Sequence, residues 1–259
     1  MSSLSICIAG VTGWTGTALA EAVAAAEDLE LRSGVSRSAA GGARYGAPVY
    51  GNVEEALAGV DVLIDFTSHH VVKANTLAAI ERGAAVVIGT SGLTAADFDE
   101  IGAAAERRGA GVIAAGNFSL TAAMAQAAAL LAARHLPSWE VIDYANATKA
   151  DAPSGTAREL AERLGQVRPP QVARTVEDTA GTPEARGATI GGTQVHSLRL
   201  PSFVVSTEVV FGLPDERLSI RHDAGSSPDP YVAGTLLAAR AAPATTGLVR
   251  GLDTLLLRA

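Results

Sequence analysis

The first 117 residues alternate short apolar runs with alanine-rich stretches, and this alternation limits the folds that the chain can adopt. The apolar runs have the length of buried strands, and the stretches between them have the length of helices. We predict strands at 4–10, 29–37, 60–67, 84–90 and 110–117, and helices at 16–27, 52–59, 70–83 and 94–109. Continuous apolar strands separated by helices predict right-handed crossovers and a parallel sheet covered on both faces.

After Asn117 the pattern changes to longer helices and alternating strands. Helices are predicted at 120–136, 154–166 and 230–242, strands at 139–145, 193–200, 203–212 and 216–224, and a loop at 167–192. The last three strands are consecutive and separated by short turns, which predicts antiparallel pairing.

Together these patterns predict an α/β chain of two domains. The first is a Rossmann-like, parallel-sheet, dinucleotide-binding domain at 1–116, to which 226–259 returns. The second is an α+β domain for substrate binding and oligomerisation at 117–225, with a mixed or antiparallel sheet.

Composition and charge exclude several classes of partner. A net charge of −7 and an aromatic content of 4% argue against a nucleic-acid binder. No apolar run is long enough to span a membrane, and the first residues lack a basic leader. The single cysteine, Cys7, lies in an apolar run and is expected in the core, which fits a reducing compartment. We expect a cytoplasmic protein.

Three glycines separate the first predicted strand from the first helix. "IAGVTGWTG" places Gly10, Gly13 and Gly16 there, where backbone can approach a pyrophosphate and the helix amides face its charge. The spacing is GxxGxxG rather than GxGxxG, and tight-turn glycines are the alternative interpretation. The position at the first strand of an α/β pattern favours dinucleotide binding.

The end of the second strand indicates which dinucleotide binds. An acidic residue there would hold a ribose hydroxyl, whereas this chain has Ser36, Arg37 and Ser38. A basic residue suits the 2′-phosphate, so we expect NADPH to be preferred over NADH. A solvated loop arginine is the alternative.

A lysine precedes a predicted helix start in the second half. Lys149 supplies a point charge, and Ser154, Gly155 and Thr156 supply amides and hydroxyls at the helix N-terminus. These residues predict a site for an anion, with a small-molecule carboxylate as substrate. An ordinary capped helix with an exposed lysine is the alternative.

The chain resembles the dihydrodipicolinate reductase family in a series of motifs that occur in the same order. They are "GVTGWTG", "DFTSHHVVKAN", "VVIGTSGLT", "AGNFSL", "KADAPSGTA", "VHSLRL" and "ERLSIRHDA". The resemblance implies an NAD(P)H-dependent reductase, homotetrameric, acting in lysine and diaminopimelate biosynthesis on a cyclic dicarboxylate with a conjugated imine.

The resemblance also implies which residues form the two binding sites. Lys149 would be the catalytic residue, and with Ser154, Gly155 and Thr156 it would bind the substrate. The implied cofactor contacts are Gly10, Thr12, Gly13, Trp14, Thr15, Gly16, Phe66, Thr67, Gly89, Thr90, Ser91, Ala115, Asn117 and Phe118. Ser36 and Arg37, from the end of the second strand, complete the predicted set.

One departure from the family pattern affects the chemistry. The family carries His-His-x-His before the lysine, whereas this chain has Ala145, Asn146, Ala147 and Thr148. Alanine cannot donate a proton. The remaining candidates are Tyr144, His69, His70 and water, and strand alternation allows only one of Asp143 and Tyr144 on the face of Ala145.

Three functions follow from these observations. The first is reduction of 4-hydroxy-tetrahydrodipicolinate. The second is a sister reductase acting on another imino or unsaturated carboxylate, and the third is a non-catalytic NADPH-binding protein.

No metal site is predicted, because the adjacent His69 and His70 have no nearby acidic ligands.

Overall fold

Two separate β-sheets organise the chain. The structure, a computed structural model, describes residues 3–257. The segments up to Leu120 and from Pro228 onward form one compact unit, and Thr121–Ser227 form the other.

The strands and helices alternate through most of the first unit and are more irregularly ordered in the second. The strands are β1 Leu4–Ala9, β2 Leu29–Val35, β3 Ala43–Arg44, β4 Ala47–Tyr50, β5 Val62–Asp65, β6 Ala85–Ile88, β7 Gly111–Ala114, β8 Trp139–Ala145, β9 Ala188–Ile190, β10 Thr193–Arg199, β11 Val205–Leu213, β12 Glu216–Ala224 and β13 Gly247–Arg250. The helices are α1 Trp14–Ala25, α2 Val53–Ala56, α3 Val72–Glu81, α4 Ala95–Arg108, α5 Leu120–Ala133, α6 Gly155–Val167, α7 Asp229–Ala241 and α8 Leu252–Leu256.

The sheet of the first unit has the order β13-β7-β6-β5-β1-β2-β4-β3. Its strands pair in parallel except for the short β3–β4 hairpin. Strand β1 lies between β2 and β5, with Ala9 opposite both Val35 and Asp65. The strand order reverses here, and open α/β sheets bind ligands beyond the carboxyl ends of such strands. The predicted Rossmann-like parallel sheet is confirmed.

Both faces of this sheet are buried. Cys7 and Ala9 on β1 pack into a core with residues of α2, α3 and α4. The alternate residues Ile6 and Ile8 have no exposed surface either, and α1 and α7 contact each other and the strands beside them. This two-sided burial explains why the strands are almost continuously apolar.

The sheet of the second unit is mixed, with the order β12-β11-β8-β10-β9. Strands β11 and β12 form the predicted antiparallel hairpin. The expected pairing of 193–200 with 203–212 is wrong, because β8 lies between β10 and β11. The linking residues cross the end of β8, where Leu200 N donates to Ala145 O and Asn146 N donates to Val204 O.

Several short elements had no counterpart in the sequence prediction. Strands β3, β4 and β13 were not predicted, and the loop expected at 167–192 contains β9 and a 3₁₀ turn at Pro183–Arg186. Strand β13 extends the edge of the first sheet beside β7. No helix within residues 3–257 has the length and hydropathy needed to cross a bilayer.

The burial of Cys7 gives a direct test of the first core. Cys7 has no exposed surface, and burial raises the pKa of its thiol to about 12. Thiolate is the reactive form, so we expect the folded protein to resist a thiol reagent at about pH 8, just below the ordinary thiol pKa of about 8.5. Absorbance of the released chromophore measures this. Reaction of the folded protein at the rate of free cysteine would contradict the packing, and denatured protein provides the control.

Candidate active site

The carboxyl ends of β1, β2 and β5 enclose a cleft of about 1000 Å³ in the first unit. The cleft is lined by predicted cofactor contacts from all three strand ends. They are Gly10, Thr12, Gly13, Ser36, Arg37, Phe66 and Thr67. The remaining members of the predicted set lie outside its wall. They are Trp14, Thr15 and Gly16 at the start of α1, and Gly89, Thr90, Ser91, Ala115, Asn117 and Phe118 after β6 and β7.

The turn between β1 and α1 is too tight for side chains at two of its glycines. Gly10 has a φ of +85°, and a Cβ there would lie 2.3 Å from the carbonyl oxygen of Phe66. A Cβ at Gly16 would lie 2.0 Å from the carbonyl oxygen of Gly10. The N-cap of α1, Gly13, offers no side-chain cap, and the first turn carries no acidic residue. Uncapped amides and the helix dipole therefore remain suited to an anion.

Hydroxyl groups connect this turn to the end of β2. Thr12 Oγ1 lies 2.8 Å from Ser36 Oγ, which lies 3.2 Å from Ser38 Oγ. Arg37 lies in the same cleft wall. The sequence analysis missed the opposite wall, where Asn52 and Glu54 at the start of α2 also line the cleft. The only sequence signal was the pair of acids in the first turn of α2.

A buried carboxylate fixes the loops that follow β5 and β6. Asp65 has no exposed surface. Its Oδ1 accepts hydrogen bonds from Thr67 N at 3.0 Å, Thr67 Oγ1 at 2.6 Å and Thr90 Oγ1 at 2.7 Å. Its Oδ2 accepts one from Asn75 Nδ2 at 2.8 Å. These bonds satisfy the buried charge and hold two predicted cofactor contacts, Thr67 and Thr90, in place.

Aromatic rings pack beyond this carboxylate. The Phe66 ring covers Gly89 so closely that a Cβ there would lie 2.2 Å from it. The rings of Phe66 and the buried Phe118 are 5.9 Å apart. Asn117 Oδ1 accepts from Ser119 N at 2.8 Å and so shapes the turn after β7.

The two adjacent histidines differ in position. Their rings are 3.7 Å apart, and only His70 lines the cleft. The Cβ of His69 lies 2.5 Å from where a Cβ on Gly92 would be, so His69 packs against that loop. Among the described residues no group of three or more His, Cys, Asp or Glu could hold a metal ion.

In the second unit, Lys149 follows a turn that Asn146 organises. Asn146 Oδ1 accepts from Thr148 N at 3.1 Å and from Thr148 Oγ1 at 2.9 Å, and Lys149 N donates to Asn146 O at 3.0 Å. The Lys149 ammonium forms an ion pair with Asp151 at 2.7 Å. Asn146 and Thr148 therefore shape the loop that carries the lysine.

A second buried carboxylate, Asp143, fixes the start of α6. Its Oδ2 accepts from Ser154 N at 2.9 Å, Ser197 Oγ at 3.1 Å and Arg199 Nη2 at 2.9 Å. Arg199 Nη2 also donates to Asp151 O at 2.8 Å. Ser154 is the N-cap of α6, accepting from Ala157 N, so Gly155 and Thr156 form its first turn. The predicted substrate residues therefore share one anchored loop.

The register of β8 settles which side chains share the face of Ala145. Burial alternates along β8, so Asp143 lies on the same face as the fully buried Ala145 and Tyr144 lies on the other. Tyr144 Oη donates to Glu208 Oε2 at 2.9 Å. Burial and the Glu208 carboxylate raise the pKa of Tyr144. Tyr144 is therefore a weak acid on the face opposite Ala145, which disfavours it as the donor.

A second cavity of about 690 Å³ lies on the Tyr144 side of this sheet and reaches the 170–174 loop. Glu140 in its wall pairs with Arg186 and, at 2.7 Å, with His196. None of the residues predicted to bind cofactor or substrate lines it.

Comparison with known proteins gives consistent matches over nearly the whole chain. The family models described as "Dihydrodipicolinate reductase, N-terminus" and "Dihydrodipicolinate reductase, C-terminus" match residues 4–118 and 116–256. A 4-hydroxy-tetrahydrodipicolinate reductase of Moorella thermoacetica is 36% identical, with 99% of each chain covered. The enzyme of the same name from Streptococcus suis is 35% identical, covering 98% of this chain and 100% of that one.

A solved structure is similar as well. It is the dipicolinate-bound dihydrodipicolinate reductase from Paenisporosarcina sp. TG-14, which is 28% identical. Its TM-score is 0.77, and the match covers 98% of this chain and 99% of the other.

Asp65→Asn should weaken nicotinamide dinucleotide binding, because one carboxylate oxygen becomes an amide NH₂. With its NH₂ toward Thr67 N, the new side chain faces an obligate backbone donor. With its NH₂ toward Asn75, the amide of Asn75 must turn over to present its oxygen, and the charge that strengthened all of these bonds is lost. The cost is about 1–3 kcal/mol, measurable by calorimetry with NADPH and by denaturant unfolding. The control is Asp61→Asn, because Asp61 is exposed and its carboxylate accepts, within residues 3–257, only from Ser5 N. Equal losses in both variants would contradict the role assigned to Asp65.

Proposed function

The chain belongs to the dihydrodipicolinate reductase family, and we propose that it reduces 4-hydroxy-tetrahydrodipicolinate in lysine and diaminopimelate biosynthesis. The observation that carries this proposal is the match of both family halves to one continuous chain, with relatives of that name matching from end to end. Family membership makes the chain an NAD(P)H-dependent oxidoreductase.

The first unit supplies the residues that would hold the dinucleotide. The crowded backbone at Gly10 and Gly16 and the uncapped start of α1 suit a pyrophosphate, and the cleft of about 1000 Å³ can accept a ligand of that size. When bound, a nicotinamide cofactor supplies a hydride to an electrophilic carbon. Thr67 and Thr90, held by Asp65, would orient its nicotinamide end.

We infer a preference for NADPH over NADH. Arg37 supplies a positive charge in the cleft, and the Ser36 and Ser38 hydroxyls supply hydrogen bonds beside it. Glu54 also lines the cleft and opposes this preference, because a carboxylate disfavours a 2′-phosphate.

We propose that Lys149, Gly155 and Thr156 bind a substrate carboxylate. The Lys149 ammonium and the first amides of α6 combine a point charge with a helix dipole, an arrangement that suits anions. Asp151 forms an ion pair with Lys149, and the substrate carboxylate would take the place of Asp151. A relative of similar structure was solved with dipicolinate, which is a planar dicarboxylate.

The two alternative functions have no support from the relatives. The sister reductase was suggested by Ala145-Asn146-Ala147-Thr148, and the non-catalytic NADPH-binding protein was the second alternative. The reported relatives carry the name of the reductase itself. The loss of the family's proton donor at Ala145 remains a prediction. A different acid would then have to donate the proton to the substrate.

We propose that the chain assembles as a homotetramer in the cytoplasm. The β-sheet face opposite α5 and α6 presents apolar side chains, among them Leu198, which is 38% exposed, and the half-buried Ile142 and Val210. Covering this face with other copies would bury them. Sedimentation equilibrium measures the assembly, and a monomer at micromolar concentration would contradict it.

Arg37→Ala should reduce the preference for NADPH. Loss of a charge-assisted bond to the 2′-phosphate is expected to remove about 1–3 kcal/mol of the difference in binding free energy, with NADH affinity nearly unchanged. Calorimetry with both cofactors measures this. Arg44→Ala is the matched control, since Arg44 lies on β3 and does not line the cleft. Equal affinity of the unmodified protein for both cofactors would contradict the preference.

Lys149→Ala should lower kcat/KM for 4-hydroxy-tetrahydrodipicolinate by roughly tenfold to a hundredfold, because a charged hydrogen bond is worth about 1.5–3 kcal/mol. NADPH oxidation measures turnover. The control is Lys73→Ala, whose ammonium pairs with Asp97 and Glu100 in the first unit. No substrate-dependent oxidation by the unmodified protein would refute the proposed function, and equal effects of the two lysines would refute the role of Lys149.

A further inference from the structure

A small cavity in the second unit lies between α5, α6 and the sheet. Its volume is about 20 Å³, and its polar lining residues are Gln126, Thr156, Thr207 and His222. Thr156 belongs to the proposed carboxylate site, so one residue of that site and a histidine lie in the wall of the same cavity. The volume is enough for one water molecule.

Two residues of this cavity, Thr207 and His222, align across the sheet with Asp143. Asp143 on β8 is opposite Thr207 on β11, and Thr207 is opposite His222 on β12. Directly opposed residues share a face, so His222 lies on the same face as Ala145. Of the three histidines in this unit, His196 lies on the opposite face with Glu140, and His135 is exposed beyond the end of α5.

A buried hydroxyl in the wall of the cavity has no hydrogen-bond partner among the described residues. Thr207 is 6% exposed, and its Oγ1 has no hydrogen-bond partner within the described part of the chain. A buried polar atom without a partner is costly, and a water bonded to Thr207 and a second lining residue would satisfy it. The His222 ring is held beside the cavity by its Nε2 atom, 3.1 Å from Thr121 Oγ1.

We propose that His222 supplies the proton that completes substrate reduction, through a water molecule bound in the cavity that it shares with Thr156. This inference rests on the proposed function, because the substrate is the dicarboxylate bound at Lys149 and Thr156. His222 thus takes the role that the alanine at 145 cannot perform.

The proposed step balances atoms and charge. Loss of the 4-hydroxyl as water leaves a conjugated imine, and reduction of that imine adds one hydride, which nicotinamide cofactors supply, and one proton. The N–H bond of the His222 imidazolium breaks, and its electron pair stays on the ring. The bridging water accepts that proton and gives one of its own to the substrate, where a new bond to hydrogen forms. Solvent reprotonates the half-buried imidazole.

The charges around His222 make its protonation state depend on whether the substrate is bound. Burial lowers the pKa of His222 below its ordinary value, and the neighbouring Asp223 offsets this only in part. Asp223 itself pairs with Arg221. The groups that face His222 from the neighbouring elements are neutral: Thr121, Gln126, Thr156 and Thr207. Gln126 in turn donates a hydrogen bond to the Glu159 carboxylate. A bound dicarboxylate adds negative charge, which favours the imidazolium form.

The test compares His222→Gln with the exposed-histidine control His135→Gln. General acid catalysis is worth about 10²–10⁴-fold, so kcat of His222→Gln should fall within that range. The decline of kcat on the alkaline side should disappear, and at a pH where His222 is neutral the affinity for pyridine-2,6-dicarboxylate should change less than about threefold. A kcat of His222→Gln within about threefold of the unmodified value, with the same pH profile, would overturn the inference.

A second measurement does not depend on turnover or on the variant folding. In the unmodified chain, NMR titration of His222 with and without pyridine-2,6-dicarboxylate should show a higher pKa with the ligand. An unchanged pKa would also overturn the inference. Failure of the proposed function gives a different result from failure of this inference. The unmodified protein would then show no substrate-dependent NADPH oxidation, whatever the His222 titration shows.

Discussion

A buried carboxylate near the carboxyl end of a strand fixes the candidate functional loop in each unit. Asp65 accepts hydrogen bonds from Thr67, Thr90 and Asn75, and Asp143 accepts from Ser154, Ser197 and Arg199. Neither aspartate has exposed surface, so each depends on these donors to compensate for lost hydration. The bonds in turn give the polar loops defined conformations before any ligand binds, which reduces the entropy cost of binding.

The architecture of the first unit could be predicted because its signals are local. Buried parallel strands are continuously apolar, and a glycine turn after the first strand is recognisable in the sequence. Strand β13 could not be predicted, because its four residues form a strand only by pairing with β7. The wrong pairing of β10 with β11 has a similar cause. Short separation in sequence favours a hairpin, but the linking residues bond to the end of β8 instead.

The candidate site was predictable where motifs are contiguous and not where it depends on register. "KADAPSGTA" predicted the start of α6 and the position of the candidate Lys149 just before it. Alternation correctly allowed only one of Asp143 and Tyr144 on the face of Ala145, although the sequence did not say which. His222 is brought near Thr156 by the pairing of β8, β11 and β12, which the sequence alone does not specify. The resulting account assigns dinucleotide binding to the first unit, carboxylate binding to the second, and proton supply to a histidine on a strand of the second.

The central claim is that one chain holds a dinucleotide at Gly10–Gly16 and a planar dicarboxylate at Lys149 and the start of α6. A crystal structure of the protein with both NADPH and pyridine-2,6-dicarboxylate tests it most directly. The account predicts the pyrophosphate against the glycine turn, and a ligand carboxylate on the Lys149 ammonium and the Gly155 and Thr156 amides. A dicarboxylate bound elsewhere, with Lys149 still paired to Asp151, would contradict it.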